Sequence, residues 1–222
     1  MLSRDVRIAP AVAIADIIGS RRLRDRSAAQ RVIEEAVERT ERDLPSATTP
    51  LTATVGDEFQ AVYPTLADAL RSLLLLQLAL PDDVGLRFGV GVGAITSVHS
   101  AGRPISDGPG WWAARAAIDE VHRMQDRAVP QSRTRVVGAS EDDAVMHSEI
   151  RMANAYVLVR DELVGAMSGR ARRLTYGRCI GRTQRELADA EDITQPAVSQ
   201  ALSASGAAAI VAGFSDLGGS KR

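Results

Sequence analysis

The sequence predicts an α+β fold, four strands and two helices in the order β-α-β-β-α-β and then an all-α C-terminal module. Three observations carry this. Short apolar, β-branched runs alternate with helical-period segments in that order over residues 10–95. A Gly56-Asp57-Glu58 turn joins two of the runs, as a hairpin requires. Finally, "TQRELADAEDITQPAVSQAL", residues 183–202, has the apolar spacing of two short helices joined by a tight turn.

The first strand is "AVAIADIIGS", a two-sided apolar run ending in Gly-Ser, which suits a buried central position. From Ser27, the expected N-cap, to about Asp43, the residues Val32, Ile33, Ala36 and Val37 recur at helical spacing. "PLTATV" and "FQAVYP" read as strands on either side of the Gly-Asp-Glu turn. An apolar helix from Thr65 to about Leu80 is stopped by Pro81. "GLRFGVGVGAI", 85–95, is a strand whose alternate glycines leave one face bare. This is the split βαβ, or ferredoxin-like, plan, and it makes neighbours of the strands that carry Asp16 and Asp57–Glu58. Beyond it, "DGPGWWAARAAIDEVHRM" reads as a loop entering a helix, and "TRVVGAS" as a short strand. Ser140 with Glu141–Asp143 reads as a helix N-terminus, where acids suit the dipole. A helical stretch over 148–169 is expected to connect two domains or to support a dimer. The expected division is residues 1–147 and 148–222.

Composition bounds the function. With 222 residues, 45% hydrophobic and 25% charged, the chain has the makeup of an ordinary globular protein of one or two domains. A single cysteine, Cys179, excludes an intrachain disulfide framework. No apolar run is long enough to span a bilayer, so a cytoplasmic protein without a membrane partner is expected. The net charge of −1 hides a cluster of six arginines (Arg170, Arg172, Arg173, Arg178, Arg182, Arg185) without an acid between residues 170 and 185. Such a cluster is a candidate phosphate-facing surface or a solvated helix face.

In the C-terminal motif, Leu187 and Ala188 form the inner face of a first helix, with Val198 and Leu202 facing inward from a second that Thr194 caps. Pro196 falls in that helix's first turn, where proline is tolerated. This is the spacing of a helix-turn-helix, whose second helix enters the major groove N-terminus first. Gln195, Ser199 and Gln200 then face outward, and with Thr194, Arg182 and Arg185 they are the candidate contacts to double-stranded DNA.

The N-terminal pieces resemble class III nucleotidyl cyclases. "AVAIADIIGS" is similar to their first metal-binding strand, "TVGDEFQAVYP" to their second metal-binding hairpin and to the GGDEF turn of diguanylate cyclases. "LRFGVGVGAI" and "GWWAARAAI" are similar to the strand and helix that complete that site. The whole order, a cyclase-like palm followed by a helix-turn-helix, resembles the SatD family of bacterial proteins. The resemblance implies that Asp16 and Asp57, with Glu58 from the GGDEF pattern, hold Mg²⁺ or Mn²⁺ with a nucleotide. It implies that the backbone of Ile17, Ile18, Gly19 and Ser20 cradles phosphates and that Arg115 stabilises the transferred phosphoryl group, in class III homodimers from across the subunit contact. Two departures stand out. Trp111 occupies the ribose-orienting asparagine position and Ala53 that of the base-reading lysine; the chain's one lysine is Lys221. Trp111 and Trp112 are alternative base-stacking residues, or core residues.

The expectation is a homodimeric DNA-binding regulator with a nucleotide- and metal-sensing palm whose catalysis is altered or lost, the alternative being an active cyclase. "GVGVG" lacks the helix a dinucleotide fingerprint needs. His99, His122 and His147 lack metal-ligand spacing, and Cys179 lacks a nucleophile's surroundings.

Overall fold

The computed structural model describes residues 9–20, 25–54, 57–98, 105–139 and 144–219. The expected helix start at Ser140 to Asp143, the Gly56 of the hairpin and His99 lie outside them. The core is a five-stranded sheet in the order β2-β3-β1-β4-β7. Its strands are β1 (Ala11–Ile17), β2 (Thr49–Ala53), β3 (Glu58–Tyr63), β4 (Leu86–Val92) and β7 (Thr134–Gly138). The helices α1 (Arg26–Asp43) and α2 (Leu66–Ala79) make the two crossovers. β1 lies antiparallel between β3 and β4, and β7 extends the sheet parallel to β4. The β-α-β-β-α-β order expected from the sequence is therefore present. A two-stranded ribbon, β5 (Thr96–Val98) with β6 (Ile105–Asp107), precedes α3 (Pro109–Arg127).

Strand periodicity assigns the two faces. Ala11, Ala13, Ala15 and Ile17 point to the α1–α2 side, packing with Phe59, Tyr63, Phe88 and Val90. Val12 and Ile14 point to the other, under Trp111, Ala114 and Ile118 of α3. The bare face of β4 is where α3 lies: a Cβ on Gly91 would sit 2.0 Å from the Gly110 carbonyl oxygen, and one on Gly89 2.3 Å from that of Ala114. Two local expectations are corrected. The α1 N-cap is Asp25, whose carboxylate accepts from the Ala28 N–H at 2.9 Å, and Ser27 falls inside the first turn. Glu58 is the first residue of β3, in register with Asp16, rather than part of the turn.

The long C-terminal helix is also placed differently from expectation. It is α4 (Ala144–Gly165), followed after Ser168 by α5 (Gly169–Cys179), and α4 lies along the sheet's outer strand. The Asn154 side chain accepts from Val136 N–H and donates to its carbonyl, both at 2.9 Å, as a neighbouring strand would. Asp161 accepts from the N–H groups of Arg133 and Thr134, both at 2.7 Å. Its fully buried partner Arg160 donates to Asp161 at 2.7 Å and to Thr134 Oγ1 at 2.5 Å. These contacts satisfy polar groups that an open sheet edge leaves exposed. Three helices complete the chain: α6 (Gln184–Glu191), α7 (Gln195–Ala204) and α8 (Ala207–Leu217).

α2 is buried on two sides, which explains the apolar run "LLLLQLAL", broken only by Gln77. Leu66, Leu70, Leu73 and Leu76 join the sheet's core, while Leu74, Leu75 and Leu78 pack with Val164, Leu174, Leu202 and Phe214 of the C-terminal helices. Among the described residues no single helix is long and apolar enough to cross a membrane.

Candidate functional site

The register of the central strands gathers charge at one end of the sheet. Asp16 on β1 stands opposite Glu58 on β3 and Arg87 on β4, all on the face that α3 covers. Charged residues are costly on central strands, so they are expected to be paired. Arg87, nearly buried, has its Nε 3.4 Å from Asp16 Oδ1. Arg115, in the second turn of α3, donates to Glu58 from Nη1 at 2.7 Å and from Nη2 at 2.9 Å. Gln60 donates to the same carboxylate at 2.9 Å. Arg115 thus meets a carboxylate of its own chain.

These partners set the two carboxyls apart. Burial raises the pKa of Asp16; Arg87 pulls it back, Asp57 raises it further, and the net shift is upward. Burial also acts upward on Glu58, but the hydrogen bonds from Arg115 and Gln60 outweigh it and leave its pKa lowered.

Whether a divalent ion suits this cluster follows from its donors. Asp16 Oδ1 is buried and makes no hydrogen bond, which a cation would satisfy. Against that, Glu58 is held by three donor contacts, and Arg87 already faces Asp16 with a positive charge. Among the described residues no group of three His, Cys, Asp or Glu side chains is arranged to hold a metal. Asp16, Asp57 and Glu58 are brought to one end of the sheet, and in this arrangement the Asp16 and Glu58 carboxyls face Arg87, Arg115 and Gln60 rather than standing open to Mg²⁺ or Mn²⁺.

The turn after β1 is likewise partly committed. The Ile18 N–H donates to the Gly85 carbonyl at 2.9 Å, so it does not point into open space. Gly19 has a positive φ of 68°, which glycine takes without strain. Beside this turn is a depression of about 570 Å³ lined by Ile17, Arg26, Ser27, Gln30, Arg31 and Asp57. Arg26 and Arg31, on the first turns of α1, have no ion-pair partner among the described residues. Sequence reasoning missed both, and also Arg87. The arginine spacing of Arg26 and Arg31 next to the Asp16 turn was the available signal.

The two tryptophans part company. Trp111 is 8% exposed and packs in the core against Val12 and Ile14. Trp112 is 65% exposed, and its indole N–H donates to Asp107 at 2.9 Å, so only Trp112 presents a ring to solvent. Cys179 is half-buried, and burial pushes its thiol up to about 12, far from a reactive thiolate.

At the C-terminus, α6 opens with a reciprocal capping box between Thr183 and Glu186 and ends at Asp192, which has a left-handed φ of 52°. Thr194 caps α7, accepting from the Ala197 N–H at 3.4 Å. Leu187, Ala188, Val198 and Leu202 are buried, whereas Arg182, Arg185, Thr194, Gln195, Ser199 and Gln200 are all exposed. The arginine cluster is mostly spoken for. Arg173 makes a two-pronged contact with Glu191 at 2.6 and 2.7 Å, Arg170 lies 3.7 Å from the same residue, and Arg172 pairs with Asp82. Arg178 donates to the Arg182 carbonyl at 2.5 Å.

The fold and site together define a class: an α+β protein with a split-βαβ sheet, an arginine–carboxylate cluster at one sheet end and a helical C-terminal half packed on α2. The SatD family model matches residues 11–211, and the chain belongs to the SatD family. Among solved structures, a bacterial light-regulated adenylyl cyclase is similar at a TM-score of 0.41 and 12% identity, over 58% of this chain and 43% of that one. The non-canonical dimeric guanylyl cyclase domain of a fusion protein from the aquatic fungus Blastocladiella emersonii gives 0.38 and 15%, over 50% and 74%. The adenylyl cyclase CyaB from P. aeruginosa gives 0.38 and 12%, over 53% and 81%. The chain therefore spans less than half the length of the light-regulated enzyme. No curated protein sequence matches it significantly.

Proposed function

We propose that this protein is a homodimeric, cytoplasmic DNA-binding regulator whose palm senses a nucleotide and is not an efficient catalyst. The observation that carries the reading is the division of the α6–α7 pair. Leu187, Ala188, Val198 and Leu202 are buried, while the cap and first two turns of α7 display Thr194, Gln195, Ser199 and Gln200, and the start of α6 displays Arg182 and Arg185. A helix-turn-helix needs an inner face that fixes the angle between its helices and an outer first turn that meets the base edges. The dimer contact in this reading is the outer face of α4, where Met152 and Val159 are 73% and 61% exposed one heptad apart.

The test is fluorescence anisotropy with a duplex from the gene's own upstream region, across a salt series, with sedimentation of the same sample. Retention of the duplex by a dimer is expected, with affinity falling by roughly one power of salt concentration per phosphate neutralised. Arg182→Ala should lower that slope by about one, and Gln195→Ala should change preference between sequences. No retention of any duplex at low salt would overturn the reading.

The rival, an active nucleotidyl cyclase, is favoured by the convergence of Asp16 and Asp57 at one sheet end, reflected in the upward push of the Asp57 charge on the Asp16 pKa. It requires Arg115 to leave Glu58. A cyclic or linked nucleotide formed from mixed nucleoside triphosphates with Mg²⁺ or Mn²⁺, absent from an Asp16→Ala/Asp57→Ala variant, would establish it instead.

A further inference from the structure

We infer that the palm binds a phosphorylated ligand without a divalent ion, in the depression beside α1, through Arg26 and Arg31. This rests on the proposed sensing role of the palm and assigns the chemistry of its ligand.

In a metal-centred phosphate site, free carboxylates recruit the ion and the ion carries the phosphate. Here two of the three carboxylates are already matched. Arg87 faces Asp16 at 3.4 Å, and Arg115 with Gln60 holds Glu58 at 2.7 to 2.9 Å. Two guanidiniums of the chain itself therefore supply the positive charge that a divalent ion would bring, and bringing in an ion would require displacing one of them.

What remains beside Asp57 is a pair of arginines. Arg26 and Arg31 both line the 570 Å³ depression and have no acidic partner within ion-pair distance among the described residues. Arginine offers paired N–H donors matched to phosphate oxygens, and it does so without a metal. Ser27 and Gln30 add side-chain polar groups on the same wall, and Ile17 supplies an apolar patch beside them. The volume suits a nucleotide-sized molecule. Asp57 is the one carboxylate on the wall among the described residues, and in a site without metal it repels the ligand. The sign of its contribution is therefore the opposite of what a metal-centred site would give, which makes the two arrangements separable.

The experiment is isothermal titration of the full chain with inorganic tripolyphosphate, ATP and GTP, once in EDTA and once in Mg²⁺. Binding in EDTA at least as tight as in Mg²⁺ is expected. Arg26→Ala/Arg31→Ala should weaken it by about tenfold or more, and Asp57→Asn should leave it unchanged or strengthen it by roughly threefold. These three positions lie at the surface or in a turn, and circular dichroism of each variant checks that it is folded. Binding that needs Mg²⁺ and disappears in Asp57→Asn overturns the inference. So does failure to bind any of the three probes in either buffer. Neither result touches DNA retention by the α6–α7 pair, which is measured separately.

Discussion

Glu58 and Arg115 are 57 residues apart in sequence and form the best-defined ion pair of the cluster. Because the pKa of Glu58 is lowered below its usual 4.5, the pair stabilises the fold above that value and ceases to do so as pH falls through the depressed one. Asp16 runs the other way: with its pKa raised above 3.8, the stability it lends is complete below that value and is lost as pH rises through the raised one. The two carboxylates thus respond oppositely to acid although they face each other across β1 and β3. Arg115→Ala should cost no more than about 1 kcal/mol at neutral pH, since the arginine is half exposed and screened. In urea denaturation the gap to wild type should close between pH 5 and the acid range, about where glutamates titrate. A gap that persists unchanged in acid would mean that the side chain stabilises by packing its methylenes, not by charge.

At the scale of elements, the contact between β4 and α3 depends on two missing side chains. The Cβ of a Gly91→Ala variant would meet the backbone of Gly110 and Ala114 at 2.0 and 2.4 Å, so the helix must move rather than a flexible tip. A loss of roughly 1–3 kcal/mol is expected, as for other overpacked contacts, together with a displaced Arg115, since α3 carries it. Thermal denaturation measures the first, and a variant that melts like wild type would show that α3 slides freely on the sheet. These glycines are also where sequence reasoning reached furthest. Alternate glycines in a strand announce a bare face, and apolar alternation in "AVAIADI" and "EFQAVY" announces the strands, because both are local patterns with a period of two. The helix spacing at 183–202 was legible for the same reason. What was not legible came from distance. Nothing near Arg172 or Arg173 in sequence indicates that Asp82 and Glu191 neutralise them, 90 and 18 residues away. Nothing around Asn154 indicates that its amide stands in for a strand beside Val136. Ser27 looked like the cap because it precedes the apolar period, yet Asp25, two residues earlier, holds the Ala28 N–H. Trp111 beside Trp112 gave no sign of which ring would be buried; the helical phase of α3 over β1 decided it.

At the scale of the molecule, the expected boundary at residue 147 falls after the fourth residue of α4, the helix that seals β7. A fragment of residues 1–147 would lose the Asn154 and Asp161 contacts and expose the outer edge of β7, together with Leu74, Leu75 and Leu78 on α2. It is expected to aggregate, seen as void-volume elution where the full chain elutes at its own size. A soluble fragment with native-like β-sheet signal would show instead that the palm is self-sufficient. The leucine-rich α2 has one further consequence. Its two sides touch the sheet core and the C-terminal helices, so the route between the carboxylate cluster and α7 runs through packed side chains and not through a tether. In the proposed regulator, a tilt of the sheet would reach α7 through this packing, so lengthening the chain between the halves should leave the connection in place while a smaller side chain at Leu74 or Leu75 should loosen it.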